Sequence, residues 1–294
     1  MQLKDVIGQL DVKVHLCELL QQNRLSHALL FSGREGCGAL PLAIAFSQYV
    51  VCEKVQRAFN PVGPSLFEPA PTESIFPSDS CGICPGCIKA QQFAHPDIHF
   101  SYPVFPKKPG EKPLSSAFIS EWREFIQQFP YGNIYDWLQF IGAENRQGNI
   151  SAHECTDIIR KLNFKSFESE YKVLLMWMPE YLGNEGNKLL KLIEEPPPNT
   201  LFILVTENES MILPTILSRT QLIKVLPIDR FALENALVER GQVDKEKARQ
   251  VAAVSEGNFR ECLQLLQHGD EDWQALLRDW LNAILKTGPI AQVK

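Results

Sequence analysis

The 294-residue sequence has no long hydrophobic run and no excess of positive charge. No apolar stretch approaches the ~20 residues that would span a bilayer, and Met1 to Leu20 mixes acidic and basic side chains along a helical pattern. Neither a membrane span nor a signal peptide is expected, and the protein is expected in the cytoplasm. The 29 Lys and Arg fall short of the 35 Asp and Glu, giving a net charge of -6. The surface as a whole is therefore not built to coat nucleic acid, which leaves room only for a local basic patch. Without a secretory signal, the eight cysteines read as metal ligands or buried thiols rather than disulfides. The remaining composition, 45% hydrophobic and 22% charged, excludes wholesale disorder, collagen-like repeats and a small disulfide-stapled scaffold. At ~100–200 residues per domain the length predicts two or three domains.

Leu10, Val14, Cys17 and Leu20 recur at three- and four-residue intervals, which predicts an early helix with those four on its buried face. His27 to Phe31, the glycines at 33, 36 and 38, and the apolar stretch from Leu40 to Val51 read as strand, glycine loop and helix. Half of the 20 prolines fall between Val55 and Ser80 and between Pro96 and Pro113, so both segments are expected to be irregular surface excursions. Ser151 and Glu154 have capping-box spacing ahead of Cys155, Ile158, Ile159 and Leu162 at helical intervals. Val173 to Met178 and Leu201 to Val205 are apolar runs of strand length, as expected of parallel strands buried on both faces, and Lys188 to Glu195 between them reads as a helix stopped by three prolines. This alternation implies an α/β domain with a mainly parallel sheet. From Phe231 onward three short amphipathic helices replace the strands, and a small helical domain is expected to begin near Pro227.

Cys81, Cys84 and Cys87 place three thiols at two-residue spacings, with Gly82 and Gly86 permitting the tight turns that let thiolates converge. A structural zinc site wants a fourth ligand. Cys52, at the end of the helix leading into the same excursion, is the first candidate and His95 the second; Cys17, Cys155 and Cys262 fall on apolar helix faces. An iron–sulfur run would need a further cysteine four positions after Cys87, where Gln91 stands. Four thiolates would leave no open position for water, so structural rather than catalytic Zn²⁺ is predicted.

Gly33, Gly36 and Gly38 have phosphate-loop spacing between a strand and a helix, but its chemical end is missing. Where Lys should reach the β- and γ-phosphates and Ser or Thr should hold Mg²⁺, the chain has Ala39 and Leu40. The buried strand that should end in acidic residues runs Met176, Trp177, Met178, Pro179, leaving Glu180 alone. Two losses at the two places where catalysis would act predict that ATP is not hydrolysed.

These motifs, together with VIGQ (Val6 to Gln9), HPDIH (His95 to His99), NKLLKLIEEPP (Asn187 to Pro197) and ILPTILSRTQ (Ile212 to Gln221), resemble the clamp-loader subunits of bacterial DNA polymerase III, members of the AAA+ superfamily. The defective phosphate loop points to the delta-prime type rather than to the ATP-hydrolysing gamma/tau type. The resemblance implies an AAA+ α/β domain over residues 1–226, with a zinc module at about 52–95 and an insertion at about 104–146. A helical lid over 227–270 would follow, and 271–294 would be the start of a collar domain, the chain then being truncated. It implies partnership with gamma/tau and delta subunits, indirect contact with the sliding clamp and primed DNA, and membership of a holoenzyme that is a DNA-directed DNA polymerase. Arg219, in Ser218-Arg219-Thr220, matches the family's arginine that reaches in trans into a neighbour's ATP site; pairing with a local carboxylate is the plainer alternative. Arg260 resembles the lid arginine and, over a degenerate site, is expected to be vestigial or structural. Trp122, Phe125, Tyr131, Tyr135 and Trp137 in the insertion would form either a contact surface or a satellite cluster. Two other functions remain in view: an active gamma/tau-like ATPase, opposed by Ala39, Leu40 and Trp177, and a zinc-dependent nucleic-acid module, opposed by the absence of Lys and Arg from Val62 to Asp79.

Overall fold

The computed structural model describes residues 1–59, 77–108, 110–143, 146–267, 278 and 280–282. Its sheet is five parallel strands in the order β2-β3-β4-β1-β5, with β1 at Ala28–Ser32, β2 at Ile98–Ser101, β3 at Lys172–Trp177, β4 at Thr200–Thr206 and β5 at Gln221–Lys224. The helices are α1 (Leu10–Gln21), α2 (Ala39–Val50), α3 (Glu53–Phe59), α4 (Pro85–Gln91), α5 (Ile119–Gln128), α6 (Ile134–Phe140), α7 (Ala152–Asn163), α8 (Leu190–Glu194), α9 (Pro214–Leu217), α10 (Arg230–Gly241), α11 (Lys245–Val254) and α12 (Phe259–Gln267). Among the described residues no helix is long and apolar enough to cross a membrane.

The unbroken apolar runs of β1, β3 and β4 follow from burial on both faces, which the period of two divides cleanly. Leu29, Phe31, Val173, Leu175, Leu201 and Ile203 face α1, α2 and α5. Ala28, Leu30, Leu174, Met176, Phe202 and Leu204 face α7, α8 and α9. A third cluster, formed by Leu233, Leu237, Ala248, Ala252, Phe259 and Cys262, holds α10, α11 and α12 together and takes in Ile7 and Tyr131.

Three local expectations are corrected. Helix α1 forms, but Leu10 and Val14 are 73% and 57% exposed, and Leu16, Cys17 and Leu20 turn inward. Both sets fit one helical face, and packing against α2 chooses between them. The segment from Pro96 to Pro113 is not irregular throughout: it contains edge strand β2, whose Ile98 pairs in register with Val173, and Val104 forms an antiparallel bridge with Asn149. At α7 the Ser151 hydroxyl accepts from the Glu154 amide at 3.2 Å, as the capping box requires. The Glu154 carboxylate does not reach back; it is buried and accepts from the backbone N–H and the hydroxyl of Ser115. The proline-rich excursion lies largely outside the described residues, as do most of 271–294.

The aromatic residues of the insertion split. Trp122, Phe125 and Trp137 are buried in the main core with Tyr102 and Trp177, the Tyr102 and Trp122 rings stacking at 4.1 Å. Tyr131 is buried against the helical cluster, and only Tyr135 stands exposed. The insertion is thus an extension of the core over the end of β3 rather than a separate cluster.

Candidate functional site

The phosphate loop leaves β1 after Ser32 and enters α2 at Ala39, at the carboxyl ends of the strands where β1 lies between β4 and β5. This is the position at which open parallel sheets bind ligands. Gly36 and Gly38 adopt φ of 68° and 92°, the left-handed region that glycine enters at no steric cost. The backbone has the shape of a phosphate cradle, but the cradle is full. The cavity bounded by Gly36, Gly38, Tyr131, Trp177, Thr206 and Glu207 measures about 20 Å³, room for about one water molecule and not for a triphosphate.

Its occupants are the chain's own side chains. The Tyr131 ring lies so close to Gly38 that a Cβ there would stand 3.0 Å from Cε1, and the Tyr131 hydroxyl accepts from the Ile7 amide at 2.8 Å. Phe259 of α12 packs edge-on against the Tyr131 ring with centroids 4.9 Å apart. The Phe259 amide donates to Gly36 O at 3.1 Å, and a Cβ on Gly36 would collide with Asn258 Oδ1 at 1.7 Å. Ala39 and Leu40, where the lysine and the magnesium ligand are missing, are buried in the first turn of α2.

Arg34 and Glu207 both line the cavity, and the charges standing behind them are mainly carboxylates. Glu35, inside the glycine loop, accepts from Arg260 Nη1 at 2.7 Å and from Asn133 Nδ2 at 3.0 Å. Arg260 closes a two-pronged pair with Asp136, Nε to Oδ2 at 2.5 Å and Nη2 to Oδ1 at 2.7 Å. The guanidinium is thus saturated by carboxylates. Glu207 is pushed up to about 7 by burial and by the neighbouring Glu35 and Glu180 carboxylates. Glu180 Oε1 accepts from the Thr206 hydroxyl and from the amides of Glu207 and Asn208 at 2.9 and 3.0 Å, so it clasps the end of β4 to that of β3. Sequence reasoning missed Tyr131, Asp136 and Glu207 as parts of this site; the one readable signal was Glu35, an acid where a phosphate loop should carry none.

Arg219 lies elsewhere. Gln221 of β5 is in register with Leu29, and Arg219 precedes β5 in the turn that follows α9, so it stands at the opposite end of the sheet from the phosphate loop. Its guanidinium is partly exposed, donates to Thr215 O at 2.7 Å and pairs with Glu194 at 2.5 Å. It cannot serve this chain's own phosphate loop.

The four cysteine sulfurs of Cys52, Cys81, Cys84 and Cys87 come together within 4.8 Å of one another, and Cys81 Sγ and Cys87 Sγ are 3.9 Å apart. A tetrahedron of zinc–sulfur bonds near 2.3 Å has sulfur–sulfur edges of about 3.8 Å, so the donor set fits Zn²⁺. Backbone amides point at the sulfurs: Cys81 N–H at Cys52 Sγ (3.3 Å), Cys84 N–H at Cys81 Sγ (3.4 Å) and Cys87 N–H at Cys84 Sγ (3.4 Å). The thiols share protons among themselves: the hydrogen bond between Cys52 and Cys87 lowers the pKa of Cys52 and raises that of Cys87, and burial raises that of Cys84. His95, the second candidate, is not in the cluster; its Nδ1 accepts from the Asp97 amide at 3.1 Å.

The family model described as DNA polymerase III, delta subunit, matches residues 8–64 and 72–229. The DNA polymerase III subunit tau of Bacillus subtilis is 26% identical over 296 residues, covering 99% of this chain and 41% of the relative. The DNA polymerase III subunit delta' of the same organism is 23% identical over 251 residues, covering 85% of this chain and 57% of the relative. A crystal structure of a gamma subunit-related protein from Thermotoga maritima aligns with a TM-score of 0.45 at 16% identity, over 94% of this chain and 68% of that one. The chain therefore spans between two fifths and three fifths of these two curated relatives. With the family model matching most of the sequence, the chain belongs to the DNA polymerase III delta-subunit family, as an AAA+ subunit of the clamp-loader type.

Proposed function

We propose that this chain is the non-hydrolysing, delta-prime-like subunit of the clamp loader. It supports ATP-dependent loading of the sliding clamp onto primed DNA and lends Arg219 to the ATP of a gamma/tau neighbour, with delta as a further partner. The tau and delta' relatives are similarly distant, so identity does not choose between the types. The observation that carries the choice is the phosphate cavity, reduced to about 20 Å³ and closed by Tyr131 and Trp177, with Ala39 and Leu40 in place of the charge and the metal ligand. A triphosphate needs space there, a lysine for its β- and γ-phosphates and a ligand for its magnesium, and the cavity offers none of the three.

Support for Arg219 is positional. It stands at the end of the sheet away from its own phosphate loop, partly exposed and able to exchange the Glu194 carboxylate for a phosphate oxygen. A guanidinium supplied from a neighbouring chain neutralises charge developing on the γ-phosphate. Cys52, Cys81, Cys84 and Cys87 would hold Zn²⁺ as a structural centre, its four positions filled by sulfur. On this reading residues 1–226 form the AAA+ domain, 227–270 the lid and 271–294 the start of a collar, in a cytoplasmic assembly whose contact with DNA is collective.

The purified chain is expected to show no steady ATP turnover; measurable turnover that depends on its own phosphate loop overturns the assignment. Combined with gamma/tau and delta subunits, the Arg219→Ala chain should still co-elute with them, while the ATP site it faces loses about a thousandfold in rate. An unchanged ATPase removes the trans role.

A further inference from the structure

Where a nucleotide would join the loop to the lid, this chain has side chains of its own. We propose that the insertion turn Pro130-Tyr131-Gly132 is a built-in occupant of the phosphate-loop cavity, and that with Asp136 it latches the lid helices to the α/β part without nucleotide. The proposal rests on the non-hydrolysing reading and goes further, because a subunit can fail to hydrolyse ATP and still bind it.

Each link is in the geometry. Tyr131 touches all three parts: its ring covers Gly38 of the loop, its edge meets Phe259 of α12, and its hydroxyl accepts the Ile7 amide. It is 5% exposed, so it fills space that no ligand shares. The Asn133 side chain, at the start of α6, accepts from the Asp136 amide at 2.9 Å, and the Asn133 N–H donates the reciprocal bond to Asp136 Oδ2 at 3.1 Å, which fixes the carboxylate. That carboxylate holds Arg260 of α12 by two prongs, and Arg260 reaches on to Glu35 in the loop. The expected vestigial arginine is thus the centre of a closed circuit running from loop to lid to insertion and back to the loop through Asn133 and Glu35. A lid arginine free to meet a γ-phosphate would have neither carboxylate. Charge-assisted, two-pronged bonds that are partly shielded from water are the strong class of hydrogen bond. They replace the attraction between phosphate and arginine with one that needs no ligand.

The test is backbone hydrogen exchange, read by mass spectrometry on the full chain with and without 5 mM ATP and Mg²⁺, a ~mM regime in which even weak binding registers. Protection at residues 33–42 and 258–262 should be the same with and without nucleotide. Asp136→Asn combined with Arg260→Gln should speed exchange in both segments together by about tenfold, while β3 and β4 keep their protection and so report an intact sheet. Tyr131→Leu, which keeps apolar bulk but loses the hydroxyl and the ring edge, should do the same. Nucleotide-dependent protection of the loop in the unaltered chain overturns the proposal, and so does exchange within twofold of the unaltered chain in both variants. Protection by ATP without turnover sinks the latch alone; turnover sinks the non-hydrolysing reading.

Discussion

Replacing Glu207 with Gln should make the protein more stable, and only at the pH where the carboxylate is charged. The folded carboxyl titrates near 7 instead of its ordinary 4.5 because it is buried beside Glu35 and Glu180, with Asp136 adding to the negative field. Below about pH 4.5 it is protonated in both the folded and the unfolded chain and costs nothing. Between about 4.5 and 7 the unfolded chain releases the proton and the folded chain keeps it, so stability declines as pH rises. Above about 7 both states are ionised and the full cost is present. At about 1.4 kcal/mol per pH unit of difference, that cost is about 3 kcal/mol at pH 8 and under about 1 kcal/mol at pH 5.

Glu207→Gln removes the charge and keeps the shape, so urea unfolding followed by tryptophan fluorescence should show a gain approaching 3 kcal/mol at pH 8 and a small one at pH 5. The comparison is between variant and parent at each pH, which cancels the titration of groups that do not feel Glu207. Equal gains at both pH values would mean that packing rather than charge is responsible. A loss at pH 8 would mean that Glu207 has a favourable partner, and the account of its neighbouring carboxylates as opposing its charge would be wrong.

The remaining predictions address the metal and the insertion. Elemental analysis should find one zinc per chain, and Cys84→Ser should lower the zinc content and destabilise the module around α4; iron in the preparation, or full zinc retention by the variant, contradicts the four-sulfur site. Trp122→Ala should cost about 3–5 kcal/mol in urea unfolding, because the indole is fully buried between Tyr102, Trp137 and Trp177. A cost under about 1 kcal/mol would mean that the insertion packs on itself and not on the core.

How far the sequence could be read depended on the range of the contacts. β1, β3 and β4 were legible because burial on both faces leaves a continuous apolar run that needs no partner to be recognised. β2 was not, since an edge strand flanked by Pro96 and Pro103 and carrying His99 lacks that run; pairing with β3 makes it a strand. The cysteine cluster was legible because three of its four members sit within seven residues, and Cys52 could be added from the helix leading to them. Arg219 was singled out through family resemblance alone, and its partner Glu194, 25 positions away on α8, was not specified. The absence of the lysine and of the magnesium ligand could be read locally at Ala39 and Leu40. The filling of the cavity could not, because Tyr131 meets Gly38 across 93 positions of chain, and no local pattern encodes that approach.

Those two losses are different in kind, and the difference bears on what the subunit has become. Losing a lysine and a magnesium ligand leaves an empty cradle that could still take up a phosphate weakly through backbone amides and the helix dipole. An empty cradle also leaves the lid without the ligand that would fix its position. Here the space is taken by Tyr131, the lid arginine is satisfied by Asp136 and Glu35, and the loop itself carries one of the two carboxylates. Restoring Lys at position 39 would therefore add a charge to a site with no room for its substrate. On the proposed reading the same contacts would exclude nucleotide and hold the lid in place, so rigidity and inactivity would have one structural cause. Such a chain would supply a fixed surface to its neighbours, with Arg219 offered from the far end of the sheet to a neighbour's nucleotide.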